Sequence, residues 1–155
     1  MFRLNRLTDY AVVVMMQMTH KPQEVHTAAQ IAADTGIPLP TVAKLLNALV
    51  HESLVASHRG ARGGYTLSHS GDDITVAEII QALEGPIALT ACVDGSGNHC
   101  EVESLCPMRG HWDRVNQAIR SALNQVTLTD MAASCVGLFL EPNDLHRQNR
   151  RDETL

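Results

Sequence analysis

Three of the chain's four cysteines fall in one short stretch, CVDGSGNHCEVESLC, from Cys92 to Cys106. Seven residues separate Cys92 from Cys100, and five separate Cys100 from Cys106. The stretch holds two glycines and shows neither a helical nor a strand period, so side-chain packing alone does not explain how it is held. Thiolates favour soft or borderline metals, which here means zinc or an iron–sulfur cluster. The spacing fits neither the paired knuckles of structural zinc sites nor the cysteine runs of ferredoxins. Chemistry therefore gives three thiolates plus one ligand from elsewhere. His99 and His111 are the nearest candidates, with Glu101 and Glu103 behind them, and Asp9 qualifies if the fold brings it close. The competing reading, three free thiols on a loop, is an oxidation liability without a use.

Something must position that stretch, and the composition bounds what. The chain has 155 residues, enough for one ordinary domain or for a small domain with an appended dimer element. Hydrophobic residues make up 45% and aromatics only 3%, so the core must be aliphatic and methionine-filled. The net charge of −5 conceals an asymmetry: residues 1–70 carry +2 and residues 71–155 carry −7. A basic head on an acidic body suits a nucleic-acid partner. The longest unbroken apolar run, Ala11–Met16, is far too short to span a membrane. Asp9 and Gln17 flank it, which argues against a signal peptide and for a cytoplasmic chain whose cysteines stay reduced. No nucleotide-binding glycine motif, Ser/His/Asp set or paired carboxylates in a recognisable context points to an enzyme.

In chain order, Thr8 is the expected N-cap of a first helix, apolar on nearly every side and ended by His20-Lys21-Pro22. Residues 27–51 read as two short helices. Thr27 caps the first and Gly36 stops it; Ile37-Pro38-Leu39-Pro40 turns the corner, with Pro40 suited to the first helical position. Val42, Leu45, Leu46 and Leu49 then define one buried face, opposite Thr41, Lys44, Asn47 and His51. A strand from Leu54 to His58, the turn RGARGG and a second strand from Tyr65 make a hairpin with Arg59 and Arg62 at its tip. A helix-turn-helix followed by a basic hairpin is a winged helix. Thr75 and Glu78 form a capping box before a helix ending at Gly85-Pro86. After the cysteines, Trp112, Val115, Ile119, Ala122 and Val126 recur at spacings of 3 and 4, a heptad seam able to pack on a copy of itself or on its own domain. Thr127 to Asp130 marks the start of one more short helix, and the tail from Gly137 is polar enough to be disordered.

The order of LTDYAV, IPLPTVAKLLNAL, RGARGGYTLS, EIIQALEGP and the cysteine loop followed by Trp112 resembles the Rrf2 family of winged-helix regulators, which includes IscR, NsrR and RirA. The likeness covers about residues 1–134. It is nearest to the regulators of the SUF iron–sulfur assembly operon in proteobacteria, through the wide Cys92–Cys100 gap and the lead-in EGPIALTAC. The resemblance implies that Cys92, Cys100 and Cys106 ligate an iron–sulfur cluster, two-iron or four-iron. The histidine that follows the last cysteine in the IscR type is Arg109 here. The aspartate donated by the partner subunit in the nitric-oxide-sensing type matches Asp9, leaving His111 as the fallback. Cys135 lies outside the pattern.

The fold expected is mainly α with a small β-hairpin. Residues 1–85 form the winged helix-turn-helix domain and 86–110 the cluster loop; 111–135 hold the dimerisation helix and a short cap helix, and 136–155 the tail. The function expected is a homodimeric DNA-binding repressor of cluster-assembly genes that senses iron–sulfur, redox or nitric-oxide status. Pro40, Thr41, Ala43, Lys44, Asn47, Arg59, Arg62, Arg3 and Arg6 face the DNA operator, and no membrane or small-molecule substrate is involved. A zinc- or thiol-based regulator and an iron–sulfur carrier are the alternatives.

Overall fold

Residues 3–93, 105–108 and 110–133 are described by the computed structural model of the chain. Helix α1 (Arg6–Thr19) runs through its middle, and Ala11, Val12, Val14, Met15, Met16 and Met18 are all buried, as its apolar sides require. It contacts α2 (Ala28–Thr35), α3 (Leu39–His51), α4 (Val76–Glu84), α6 (Leu128–Ala133) and strand β2 (Gly64–Leu67). The unbranched methionines let one helix fit against so many differently shaped neighbours. Its start differs from the sequence expectation. Asn5 is the cap, its side chain accepting the Leu7 N–H at 3.1 Å. Thr8 lies inside the first turn, fully buried, and its hydroxyl donates to Glu84 Oε1 at 2.5 Å. An Asn and a Thr three residues apart offer two caps, and burial of Thr8 beneath the end of α4 selects the first.

The helix-turn-helix forms as its local signals dictate. In α2 the capping box is reciprocal: Thr27 Oγ1 accepts the Gln30 N–H and Gln30 Oε1 accepts the Thr27 N–H. Gly36 adopts φ +73° to end the helix, where a side chain would be strained. Leu39, not Pro40, opens α3, so Pro40 is its second residue. Val42, Leu45, Leu46 and Leu49 are buried as their spacing predicts. Ser53, in the left-handed region at φ +61°, closes α3 with paired bonds: Ser53 N–H to Val50 O and Leu54 N–H to Leu49 O, each 3.0 Å. Strand β1 (Val55–His58) then pairs antiparallel with β2, Val55 opposite Leu67 and His58 opposite Gly64.

Beyond the wing, Thr75 and Glu78 cap α4 as expected. Helix α5 (His111–Asn124) lays Ile119 and Leu123 on a small second core of Val76, Ala77, Ile80 and Ile87. The chain then returns to the head. Thr75 and Thr127 form an antiparallel bridge, with Val76 N–H to Val126 O at 2.9 Å and Leu128 N–H to Ile74 O at 2.8 Å. Leu128 is fully buried in the main core. A third reciprocal box starts α6: Asp130 Oδ2 accepts the Thr127 N–H and hydroxyl, and Thr127 Oγ1 accepts the Asp130 N–H.

Those two donors from Thr127 hold the Asp130 carboxyl below the usual aspartate range. A depressed carboxylate stabilises the fold above its unfolded value, about 3.9, and that contribution is lost as pH falls through the folded value. Asp130→Asn is therefore expected to melt at a lower temperature than the parent at neutral pH, with the gap closing below about pH 4. Thermal melts across this range check it; a gap independent of pH would show that the charge contributes nothing.

A candidate nucleic-acid interface and a candidate metal centre

Because Val42, Leu45, Leu46 and Leu49 commit one side of α3 to the core, the opposite side is fixed as well. Pro40, Lys44 and Asn47 are exposed there, with Ala43 half-buried between them. Thr41 is also half-buried, at the margin of the inward face. Leu39, at the head of the same helix, is 46% exposed. It is missing from the expected contact residues because an apolar residue before a helix reads as core; the mismatch with the Val42–Leu49 stripe was the available signal.

The wing presents Arg59 and Arg62 fully outward on its tip. Neither they nor Lys44 take part in the ion pairs Lys21–Glu24 and His51–Glu52. Two glycines set the hairpin's position. A Cβ on Gly63 would stand 2.5 Å from the His58 carbonyl oxygen, and one on Gly64 would stand 2.5 Å from that of His26. Gly64 can come so close because Tyr65 and His26 exchange backbone bonds of 2.8 and 2.9 Å. The segment before α2 thus acts as a third, one-residue strand that anchors the wing to the helix-turn-helix. Arg3 and Arg6 are exposed at the start of α1. With Leu4, Asn5 and Asp9 they line a separate shallow concavity, which none of the α3 or wing residues shares.

The lead-in to the cysteines is held by a side chain whose spacing did not reveal it. Asn116, on α5, is 2% exposed. Its Nδ2 donates to the Ile87 carbonyl at 2.9 Å and its Oδ1 accepts the Leu89 N–H at 3.1 Å. One amide therefore pairs with the backbone as a strand would, three residues before Cys92. Cys92 is half-buried, with Thr90 Oγ1 3.2 Å from its sulfur. Cys106 is half-buried, and Leu105 before it is exposed. Cys100, His99, Glu101, Glu103, Arg109 and Cys135 lie outside the described residues. Among the described residues no three metal-binding side chains converge.

Asp9 is exposed in the first turn of α1, and its carboxylate has no hydrogen-bond partner among the described residues. Glu84 connects this turn to the cysteine segment. Its Oε1 accepts the Thr8 hydroxyl and, at 2.9 Å, the Asn5 N–H, and the next residue, Gly85, opens the lead-in. A carboxylate there also suits the positive end of the α1 dipole. His111 is exposed as the first residue of α5.

The heptad residues divide between two environments. Ile119 turns inward onto α4, whereas Trp112 and Val115 are 39% and 43% exposed and Ala122 is exposed beside them. The spacing carries the seam through Val126, but the helix stops at Asn124; Val126 stands in the link to α6, where its carbonyl is taken by Val76.

No helix among the described residues is long and apolar enough to cross a membrane. A family model described as Rrf2, iron-dependent transcriptional regulator, matches residues 4–134. The HTH-type transcriptional repressor NsrR of Streptomyces coelicolor is 29% identical over 140 residues, covering 89% of this chain and 93% of that one. The HTH-type transcriptional regulator IscR of Pectobacterium carotovorum is 31% identical over 130 residues, covering 83% and 78%. Among solved structures, CymR, the global cysteine regulator of Bacillus subtilis, superposes with a TM-score of 0.67 at 28% identity, covering 86% of this chain and 98% of that one. Helix-turn-helix, wing and returning α6 all lie within the matched span, and the chain belongs to the Rrf2 family of winged-helix transcriptional regulators.

Proposed function

We propose that the chain works as a homodimeric repressor of iron–sulfur assembly genes of the SUF type, sensing iron–sulfur, redox or nitric-oxide status. Carrying this are Lys44 and Asn47 on the outward side of α3 with Arg59 and Arg62 at the tip of the wing: polar, exposed and outside the Lys21–Glu24 and His51–Glu52 ion pairs. Arginine and lysine there suit phosphates, and Asn47 suits a base edge. Two heads joined through the exposed Trp112, Val115 and Ala122 read two half-sites about one helical turn apart.

The donor set fits a cluster. Cys92, Cys100 and Cys106 bring three thiolates, and as a thiolate Cys92 takes a hydrogen bond from Thr90. A fourth ligand comes from Asp9 of the partner subunit, in keeping with the unengaged carboxylate of Asp9, and His111 is the fallback. When bound, the cluster supplies iron that reacts with oxidants and nitric oxide. The chain's own part is mechanical. An engaged Asp9 pins the start of α1, and through Thr8 and Glu84 the root of the cysteine segment in the same subunit. A released Asp9 lets the two heads change spacing, a two-state element biased by differential contacts.

Anaerobic purification with iron and sulfide analysis tests the cluster, and band shifts on the protein's own upstream region, before and after chelation, test the operator. Asp9→Ala is expected to lose iron as completely as Cys92→Ala. Removing Arg59 and Arg62 should lower the slope of log K against log salt by about 0.9 per lost phosphate contact. A colourless protein with stoichiometric zinc rules out the cluster. A second reading keeps the head and uses the cysteines as thiols alone; similarity to CymR supports it, and an iron-free protein whose operator affinity changes on mild oxidation would establish it. Absence of salt-dependent DNA binding would favour an iron–sulfur carrier.

A further inference from the structure

Leu39 is the one large apolar side chain on the outward side of α3, 46% exposed at the helix's first residue. Its setting is unusual for the head of a helix that faces DNA. Helix N-termini ordinarily offer free N–H groups to phosphates. Here Pro38 and Pro40 carry no N–H, and the N–H groups of Thr41 and Val42 both go to the Pro38 carbonyl, at 2.9 and 3.0 Å. That leaves only the N–H of Leu39 itself. The end of α3 is thus a stiff apolar knob between two prolines, poorly suited to a phosphate. It continues one turn later into Ala43, also apolar and half-buried, while Lys44 and Asn47 stand beside it. The major groove offers one apolar mark to such a knob, the 5-methyl group of thymine.

We infer that Leu39 is a specificity-determining residue that packs against a thymine methyl in each half-site. The inference rests on the DNA-reading role of α3 proposed above. It distinguishes Leu39 from Arg59, Arg62 and Lys44, which contribute charge without reading sequence.

The test uses the full chain purified without oxygen. Duplexes with a randomised centre are selected for binding, and each thymine of the enriched site is replaced in turn by deoxyuridine, which lacks only the 5-methyl group. The parent is expected to lose about fourfold in affinity at one thymine per half-site, the worth of one buried methyl. Leu39→Ala should bind thymine and deoxyuridine equally at that position, and Leu39→Met should keep the preference. Because Leu39 is exposed, neither change opens a cavity in the core. If no thymine is methyl-sensitive, or if Leu39→Ala retains every sensitivity of the parent, the assignment is wrong and the DNA-reading head stands. If the parent enriches no sequence at all, the head's role falls and the assignment falls with it.

Discussion

Asn116→Ala is expected to lower the unfolding free energy by about 2–4 kcal/mol, far more than a polar-to-alanine change on an exposed helix face. The side chain is 2% exposed and uses both ends of its amide on the backbone of Ile87 and Leu89. Truncation leaves a carbonyl and an N–H without partners. Ile87 is buried and Leu89 half-buried, so water recovers part of the second loss and little of the first. Asn116→Asp separates the two bonds: it keeps the acceptor for Leu89 but sets a carboxylate oxygen against the Ile87 carbonyl, and should be no better than alanine. Urea titration measures both variants. Freed of its clamp, the Cys92 thiol should also react faster with an alkylating reagent. A loss under about 1 kcal/mol in Asn116→Ala would mean that water replaces the amide.

Gly64→Ala should be nearly as damaging, for a steric reason. Its Cβ would meet the His26 carbonyl oxygen at 2.5 Å and Val25 Cγ1 at 2.8 Å. The oxygen is backbone and already accepts the Tyr65 N–H, so relief requires opening the His26–Tyr65 bridge. Losing two backbone hydrogen bonds costs about 2–3 kcal/mol. The wing then loses its anchor on the segment before α2, and Arg59 and Arg62 no longer hold one position relative to α3. Operator affinity should fall by about tenfold, the effect of a misplaced pair of charged contacts. Gly60→Ala is the control. Unlike Gly64 it has positive φ, +112°, but nothing lies within 4 Å of its Cβ, so only backbone strain of about 1 kcal/mol is added. Equal stabilities and affinities for the two variants would mean that the bridge does not position the wing.

What the sequence made legible was local. Thr27 with Gln30, Thr75 with Glu78 and Thr127 with Asp130 lie three residues apart, and each makes its bonds within one helical turn. The Val42–Leu49 stripe faces inward because one periodicity admits one buried side. Illegible were contacts between distant segments. Thr8 is drawn inward by Glu84, 76 residues away, so the cap passes to Asn5. Asn116 breaks an apolar pattern and reads as surface, although its partners lie 27 and 29 residues earlier. The heptad spacing recorded that α5 is apolar on a broad side. It did not record that Ile119 serves the chain's own second core while Trp112 and Val115 stay outside. Of the cysteine segment, Cys92 follows the lead-in that Asn116 holds and Cys106 is half-buried; Cys100 lies outside the described residues.

The packing of α5 on α4 has a consequence for how such regulators diversify. The cysteine segment is the connection of a helical hairpin whose two arms are clamped by Ile80, Ile119, Leu123 and Asn116. Closing a connection twice as long costs only about 0.6 kcal/mol in chain entropy. The reach between Cys92 and Cys100 is therefore a nearly free variable, open to lengthening, shortening or replacement without disturbing the reading head. Sensing chemistry can drift in such a chain while the DNA contacts stay put, and the cysteine spacing is the first place where two relatives with the same head should part company.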